Sequence, residues 1–262
     1  MDYKNIILTK ENEIGILQIN RFSKLNALNL PLFEELNLAL DDLTKDIDIK
    51  AVILYGNDKI FGAGSDLNMI RNAAPTSVEA NLFFGNRANP VYDKLYQLDK
   101  PVIAAISGLA MGGVFELALA CDLRIASETA TFGLPEIKLG LIPGGGGTQR
   151  LPRIVGLTKA AEILFTGETF DAREAYRIGL LNKVVAPEML LDEAVALAKK
   201  LAAKPRFALK MLKSAMNTGF ELPLNMALEY ERRCFEMLFS TDDAHEGINS
   251  FLEKRKPQFL GK

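Results

Sequence analysis

Histidine and cysteine are scarce in this chain. Its 262 residues include one histidine, two cysteines and no tryptophan. His245 stands in a charged segment, so we interpret it as a surface side chain, which leaves no histidine for a catalytic triad or a metal cluster. Cys121 and Cys234 form no close pair, which argues against a disulfide framework or a thiolate metal site. We expect no bound metal, and carboxylates and backbone amides remain as the groups that carry any chemistry.

Long apolar runs and basic blocks are absent as well. No uninterrupted apolar stretch reaches the ~18 residues that a membrane span needs, and no signal peptide is visible at the N-terminus. The net charge is −2, with lysine and arginine scattered along the chain. Neither nucleic acid nor a membrane is therefore expected as a partner. The composition, 48% hydrophobic and 24% charged, is that of an ordinary globular protein, and we expect it in the cytoplasm.

The apolar pattern predicts an α/β protein with a helical end. Alternating strands and helices indicate the α/β class, and we divide the chain into an α/β core, residues 1–200, and a helical C-terminal region, residues 201–262. Apolar side chains of that region need burial against the core or against another subunit. Strands are predicted at 6–9, 14–19, 51–55, 101–106 and 123–126, and helices from Pro31 and at 172–178, 190–203, 206–218, 222–239 and from 241 to before Pro257.

Two glutamates stand in segments that should bury them. Glu116 lies within an apolar run, and Glu136 follows a proline in another. Glutamate is almost never fully buried unless it is paired or used. Two carboxyls that share an apolar site have pKa values pushed apart, so that one holds a proton near neutral pH. The structural alternatives are a buried salt bridge from Glu116 to Arg124 or Arg150, and a surface position at a helix start for Glu136.

Two glycine-rich segments accompany the glutamates. Residues 61–67 are Phe-Gly-Ala-Gly-Ser-Asp-Leu, and residues 108–113 are Gly-Leu-Ala-Met-Gly-Gly at the start of a predicted helix. Neither has the spacing of a Walker loop or a dinucleotide fingerprint. Because a helix N-terminus offers unpaired amides, the amides of Gly113 and of a residue near Ser65 are predicted to bind an oxyanion. Glu116 lies one helical turn after Gly113 and is predicted to point to the same place.

Residues 144–147 are four consecutive glycines. Such a run suggests a phosphate-binding loop, but no Lys-Ser/Thr pair follows it, so that interpretation is weak. A flexible turn that packs against an acyl chain or a partner fits at least as well.

Taken in order, these motifs resemble the crotonase superfamily of enoyl-CoA hydratases and isomerases. The resemblance covers nearly the whole chain and implies a spiral of β-β-α repeats followed by a helical trimerisation region. It therefore implies a homotrimer, or a homohexamer formed as a dimer of trimers. It implies an acyl-coenzyme A substrate and no separate cofactor, since coenzyme A is part of the substrate. The segments that carry the resemblance are 20–28, 61–67, 101–122, 132–136, 143–151 and 251–256.

The resemblance also implies a role for each matching residue. The amides of Ser65 and Gly113 are expected to form an oxyanion hole for the thioester oxygen. Glu116 and Glu136 match two positions that both carry glutamate in true hydratases, which favours the addition or removal of water at a 2-enoyl thioester in fatty acid metabolism. Lys254 is expected at the phosphates of coenzyme A, in its own or a neighbouring subunit. The implied substrate-binding residues are Lys24, Leu25, Ala27, Ala63, Gly64, Ser65, Asp66, Leu67, Asn68, Gly112, Gly113, Pro135 and Lys254.

Several positions depart from the family pattern. Ser65 replaces the usual alanine, and Asn68 stands where many members have lysine. Val114 and Phe115 replace a smaller pair, which leads to the hypothesis of an unusual acyl group, cyclic or short. The alternatives within enzymes are an enoyl-CoA isomerase or the hydratase of a cyclic (di)enoyl-CoA. Outside enzymes, the alternative is a non-catalytic scaffold or RNA-binding relative, which the acidic balance and the intact glutamate pair disfavour.

Overall fold

Two sheets organise the computed structural model, which describes residues 3–261. Met1, Asp2 and Lys262 lie outside the described residues. The larger sheet has the strand order β1-β2-β3-β4-β6-β9, with β1 and β2 antiparallel and every other neighbouring pair parallel. The smaller sheet has the order β5-β7-β8. The strands are β1 Ile6–Glu11, β2 Ile14–Ile19, β3 Ala51–Tyr55, β4 Val102–Ile106, β5 Leu109–Met111, β6 Leu123–Ser127, β7 Thr131–Gly133, β8 Phe170–Asp171 and β9 Lys183–Val185.

Helices cover both faces of the larger sheet. They are α1 Leu30–Lys45, α2 Leu67–Ala73, α3 Ser77–Phe83, α4 Asn89–Gln97, α5 Gly112–Ala120, α6 Gly147–Val155, α7 Leu157–Thr166, α8 Ala172–Arg177, α9 Leu190–Ala202, α10 Arg206–Gly219, α11 Leu224–Leu238 and α12 Asp242–Leu252. Alternate residues of β3 and β4 pack on opposite sides, because successive side chains of a strand point to opposite faces. Val52 and Leu54 join a core with α1, α4 and α5, whereas Ile53 and Tyr55 pack with α9. Both strands are fully buried, as parallel strands between helices are.

The predicted α/β class and the predicted strands and helices are confirmed. The short strands β5, β7, β8 and β9, the helices between residues 67 and 97, and the helix α6 had no counterpart in the sequence pattern. The C-terminal region is helical, and α10 packs along α11. The division at residue 200 stays a prediction, and it falls inside α9, whose residues pack on the sheet.

Two surface features bear on the sequence expectations. His245 is exposed on α12, as predicted. Within residues 3–261, no helix has both the length and the apolar character needed to cross a membrane.

Candidate active site

Glu116 is fixed inside the protein by backbone amides. It lies on α5, whose residues are all buried, and its side chain is 3% exposed. Its Oε1 accepts hydrogen bonds from the Gly145 amide at 2.8 Å and the Gly147 amide at 2.7 Å. The structural alternative of a salt bridge to Glu116 is therefore excluded, since Arg124 and Arg150 donate to backbone carbonyls instead.

The four-glycine segment thus fixes the position of the Glu116 carboxylate. Gly147 begins α6, and its amide is one of those that a helix start leaves without an intrahelical acceptor. A Cβ placed on Gly147 would lie 3.0 Å from Glu116 Oε1, and one placed on Gly145 would lie 2.9 Å from Oε2. The absence of side chains is what allows the carboxylate to approach this backbone. Two amides of residues 144–147 therefore bind a carboxylate of the protein itself. The interpretation of this segment as a phosphate-binding loop did not anticipate that role.

Glu136 lies against the start of the same helix in a different environment. It belongs to the short 3₁₀ turn Pro135–Leu139 and is only partly buried. A Cβ placed on Gly112 would lie 3.0 Å from Glu136 Oε1 and 3.7 Å from the Gly64 Cα. The Glu136 Oε2 atom is buried and has no hydrogen-bond partner among residues 3–261. An acceptor in that state is suited to bind a ligand or to carry a proton.

The two carboxyls influence each other's protonation. Burial raises the pKa of Glu116 to about 7, the nearby charge of Glu136 adds to the rise, and the Gly147 and Gly145 amides oppose it. Burial also raises the pKa of Glu136. Because the groups interact, the apparent pKa values belong to the pair. The pair is therefore able to hold and exchange a proton close to neutral pH.

Among residues 3–261, the backbone amides of Ser65 and Gly113 have no backbone acceptor, and the two residues lie together at the start of α5. Gly113 is the second residue of the helix, so its amide has no intrahelical acceptor. Ser65 forms a bridge with Leu28 that uses the Gly64 carbonyl and the Asp66 amide, not the Ser65 amide. A Cβ placed on Gly113 would lie 2.7 Å from Ser65 Oγ. The predicted oxyanion-binding residues are therefore neighbours in space.

The predicted substrate-binding residues near the N-terminus are joined to residues 63 and 64 by backbone hydrogen bonds. The Ala63 amide donates to the Leu25 carbonyl at 2.9 Å, and Leu25 has the positive φ of 51° that ends the short 3₁₀ turn at Lys24. The Ala27 amide forms the next turn by donating to the Lys24 carbonyl. The Lys24 and Leu25 side chains are exposed beside the predicted site.

Other predicted residues have structural partners or lie at the edge. The Asp66 carboxylate pairs with Arg21 at 3.0 Å and caps α2, so it is already engaged inside the protein. Leu67 and Asn68 are exposed on the first turn of α2, and Pro135 is half-buried.

Lys254 is exposed just past α12. No hydrogen bond or ion pair among residues 3–261 joins its side chain to either glutamate. Its contact with coenzyme A stays a prediction.

The bulky pair after Gly113 faces the core. Phe115 is fully buried and packs against Phe132 and Phe170, with ring centroids 5.4 and 6.2 Å away. Val114 is also fully buried and lies against Gly62. Their side chains therefore fill the space between helix and sheet, and the argument for a cyclic acyl group from these two residues loses its basis.

Sequence analysis missed Tyr92. This residue of α4 is 4% exposed, and its ring lies beside the loop that holds Glu116. A cleft of about 450 Å³ opens nearby, with Tyr92, Tyr96, Gly145 and Arg150 in its wall. Glu116 and Glu136 do not line that cleft, because Tyr92 and the glycine loop lie between the cleft and these two carboxylates.

Comparison with known proteins decides the family. Residues 9–262 match the family described as Enoyl-CoA hydratase/isomerase. The chain belongs to the enoyl-CoA hydratase/isomerase family. It is 43% identical to a crotonyl-CoA hydratase of Syntrophomonas wolfei over 100% of both chains, and 42% identical to a short-chain-enoyl-CoA hydratase of Clostridium acetobutylicum over 98% of this chain and 97% of that protein. The crystal structure of an enoyl-CoA hydratase from Bacillus anthracis superposes with a TM-score of 0.93 at 37% identity, covering 99% of this chain and 100% of that one.

Proposed function

We propose that this family member is a 2-enoyl-CoA hydratase, a hydro-lyase that adds water across the double bond next to a thioester and removes it in the reverse direction. The proposal is supported by the proximity of Glu136 to Gly112 and of Ser65 to Gly113 at the start of α5, and by the effect of the Glu136 charge on Glu116 of the same helix. The names of the two relatives, crotonyl-CoA hydratase and short-chain-enoyl-CoA hydratase, support the reaction and a short acyl group.

The mechanism follows from the chemistry of these groups. The thioester oxygen accepts hydrogen bonds from the Ser65 and Gly113 amides, which draws electron density away from the β-carbon. A water held between Glu116 and Glu136 adds its oxygen to the β-carbon, and one carboxylate takes the released proton. The α-carbon receives a proton from the acid form of the pair, so the dyad gives up as many protons as it takes. The enolate charge rests on the thioester oxygen between these two steps.

The remaining parts of the substrate are assigned to the neighbouring surface. Lys24, Leu25, Ala27 and the segment 63–68 are proposed to border the coenzyme A end, with Lys254 at its phosphates. The mechanism uses only side chains and backbone amides of this chain, so we propose no cofactor beyond the coenzyme A of the substrate. The cytoplasm is the proposed location, supported by two buried cysteines that form no disulfide.

The C-terminal helices support a proposed homotrimer or homohexamer. Apolar side chains on α10 to α12 and on the connections between them are largely exposed in the single chain, among them Met216 at 65%, Phe220 at 68% and Phe251 at 83%. Exposed apolar area of this extent is typical of an interface. Light scattering on the purified protein measures the assembly, and a monomeric mass at micromolar concentration would contradict it.

Turnover of crotonyl-CoA tests the proposed reaction. The ultraviolet absorbance of the conjugated enoyl thioester should fall as purified enzyme is added, and chromatography should show a 3-hydroxyacyl thioester as product. A 3-enoyl-CoA serves as the control for isomerase activity. Conversion of the 3-enoyl compound alone would favour an isomerase, and binding without turnover of either compound would favour a non-catalytic relative.

A further inference from the structure

The ring of Tyr92 packs in the core, whereas its hydroxyl lies at the candidate site. It lies on α4, which packs against α1 and α5, and its ring is tilted against that of Phe33 at a centroid distance of 6.2 Å. The ring accounts for the helical spacing of apolar residues on α4. The core makes no use of its phenol oxygen.

The phenol connects the two halves of the candidate site. A Cβ placed on Gly113 would lie 3.0 Å from the Tyr92 hydroxyl oxygen and 2.7 Å from Ser65 Oγ. At the same end of the ring, a Cβ placed on Gly145 would lie 2.6 Å from Tyr92 Cζ, the carbon that carries the hydroxyl, and 2.9 Å from Glu116 Oε2. The hydroxyl end of Tyr92 therefore lies near both the loop that binds Glu116 and Gly113, whose amide is proposed to bind the thioester oxygen.

The Tyr92 hydroxyl has no internal partner. Among residues 3–261, none makes a hydrogen bond to it, although the residue is only 4% exposed. The hydroxyl oxygen is not one of the fully buried atoms that lack a partner, so it is open to water or to a ligand at this site. Burial, and then the charges of Glu116 and Glu136, raise the pKa of Tyr92 well above its ordinary value, so the group stays an O–H donor. A donor kept protonated and left unpaired beside two unpaired amides fits an anionic or polar oxygen of a ligand.

We propose that the Tyr92 hydroxyl is a third hydrogen-bond donor to the thioester oxygen, acting with the amides of Ser65 and Gly113. This inference rests on the proposed function and adds a residue to it. Its hydrogen bond strengthens as the oxygen gains enolate charge, because a fixed donor in a water-poor site interacts more strongly with the charged state than with the neutral carbonyl. A neutral donor at this place also leaves the charge balance of the glutamate pair unchanged.

Replacement by phenylalanine removes the hydroxyl and keeps the ring. For Tyr92→Phe we expect kcat for crotonyl-CoA to fall by about 10- to 100-fold, somewhat less than the loss of a principal oxyanion donor, with KM within about twofold. The melting temperature should stay at the parent value, because the hydroxyl makes no internal hydrogen bond to lose. Tyr96→Phe is the matched control: it lies one turn later on α4, against Arg150 at 5.2 Å, and should turn over at the parent rate.

A spectral measurement tests the hydrogen bond without turnover. The absorption band of an aryl-conjugated enoyl-CoA thioester moves to longer wavelength when its carbonyl oxygen accepts hydrogen bonds. Bound to Tyr92→Phe, this probe should show a smaller shift than when bound to the parent protein or to Tyr96→Phe. An equal shift in parent and Tyr92→Phe, or kcat of Tyr92→Phe within twofold of the parent, would overturn the inference. A parent that shifts the probe but does not hydrate crotonyl-CoA would overturn the hydratase proposal alone.

Discussion

Glu116 and Glu136 have the same side chain and very different surroundings. Glu116 is buried on a helix and accepts hydrogen bonds from two glycine amides, whereas Glu136 stands on a 3₁₀ turn, partly exposed, with one oxygen that has no partner within residues 3–261. The fold fixes the position of the first carboxylate and leaves the second with a free acceptor. A pair built in this way combines one carboxylate that is held rigidly with a second whose buried Oε2 is left for a ligand or a proton.

Removing either carboxylate should have the largest effect on catalysis. We expect Glu116→Gln and Glu136→Gln each to lower kcat by about 10²- to 10⁴-fold with binding of the thioester largely kept, because each loses an acid/base group but keeps its shape. Steady-state kinetics on crotonyl-CoA measures this, with Glu168→Gln, an exposed carboxylate paired with Lys138, as control. Near-parent turnover in either active-site variant would remove that residue from the dyad.

Replacement of each glutamate by the shorter aspartate tests the difference between the surroundings of Glu116 and Glu136. Glu116→Asp withdraws the carboxylate from both glycine amides, whereas Glu136→Asp breaks no internal hydrogen bond at Oε2. We therefore expect the loss in kcat to be larger for the first aspartate variant than for the second, and the reverse order would contradict the comparison.

The glycine loop should follow next in effect. In Gly145→Ala the new methyl group meets the Tyr92 ring and Glu116 Oε2 within 3 Å, so the carboxylate or the loop has to move. A displacement of this kind in an acid/base group is expected to cost about 10²-fold in kcat. Gly144→Ala is a close control, since a Cβ at that neighbour meets nothing within 4 Å. Equal activities of the two alanine variants would show that the loop does not position Glu116.

The same comparison explains what the sequence could predict. Gly113 and Glu116 are one helical turn apart, so their shared location follows from local geometry alone. The donors to Glu116 come from Gly145 and Gly147, 29 and 31 residues further on, and only the tertiary fold brings them there. In the sequence alone, residues 144–147 therefore indicate only a flexible turn.

Tyr92 was hidden for a different reason. An aromatic residue at helical spacing is typical of a core, and the ring does pack in the core. The proposed chemistry depends on the hydroxyl of that ring. The spacing of apolar residues along a helix predicts which rings are buried, but not where a hydroxyl oxygen lies. Similarly, β5 and β7 have three residues each and β8 has two, too few for an alternating pattern to appear.

Stability should show the smallest of these effects, and its pH dependence distinguishes the two glutamates. The folded-state pKa of Glu116 is about 7, above the ordinary glutamate value of 4.5 that we take for the unfolded chain, because burial disfavours the charge. Between these values the folded protein binds a proton that the unfolded chain has lost, so its stability falls as pH rises and the full cost is present above pH 7. Glu116→Gln carries no such charge and should be more stable than the parent at pH 8, by roughly 1–3 kcal/mol, with a smaller gain at pH 5.5.

Glu136→Gln should also raise the free energy of unfolding, but by less, because Glu136 is partly exposed. Denaturant unfolding at both pH values and one protein concentration measures these differences, and a gain for Glu116→Gln that is equal at pH 5.5 and 8 would show that burial of its charge is not the cause.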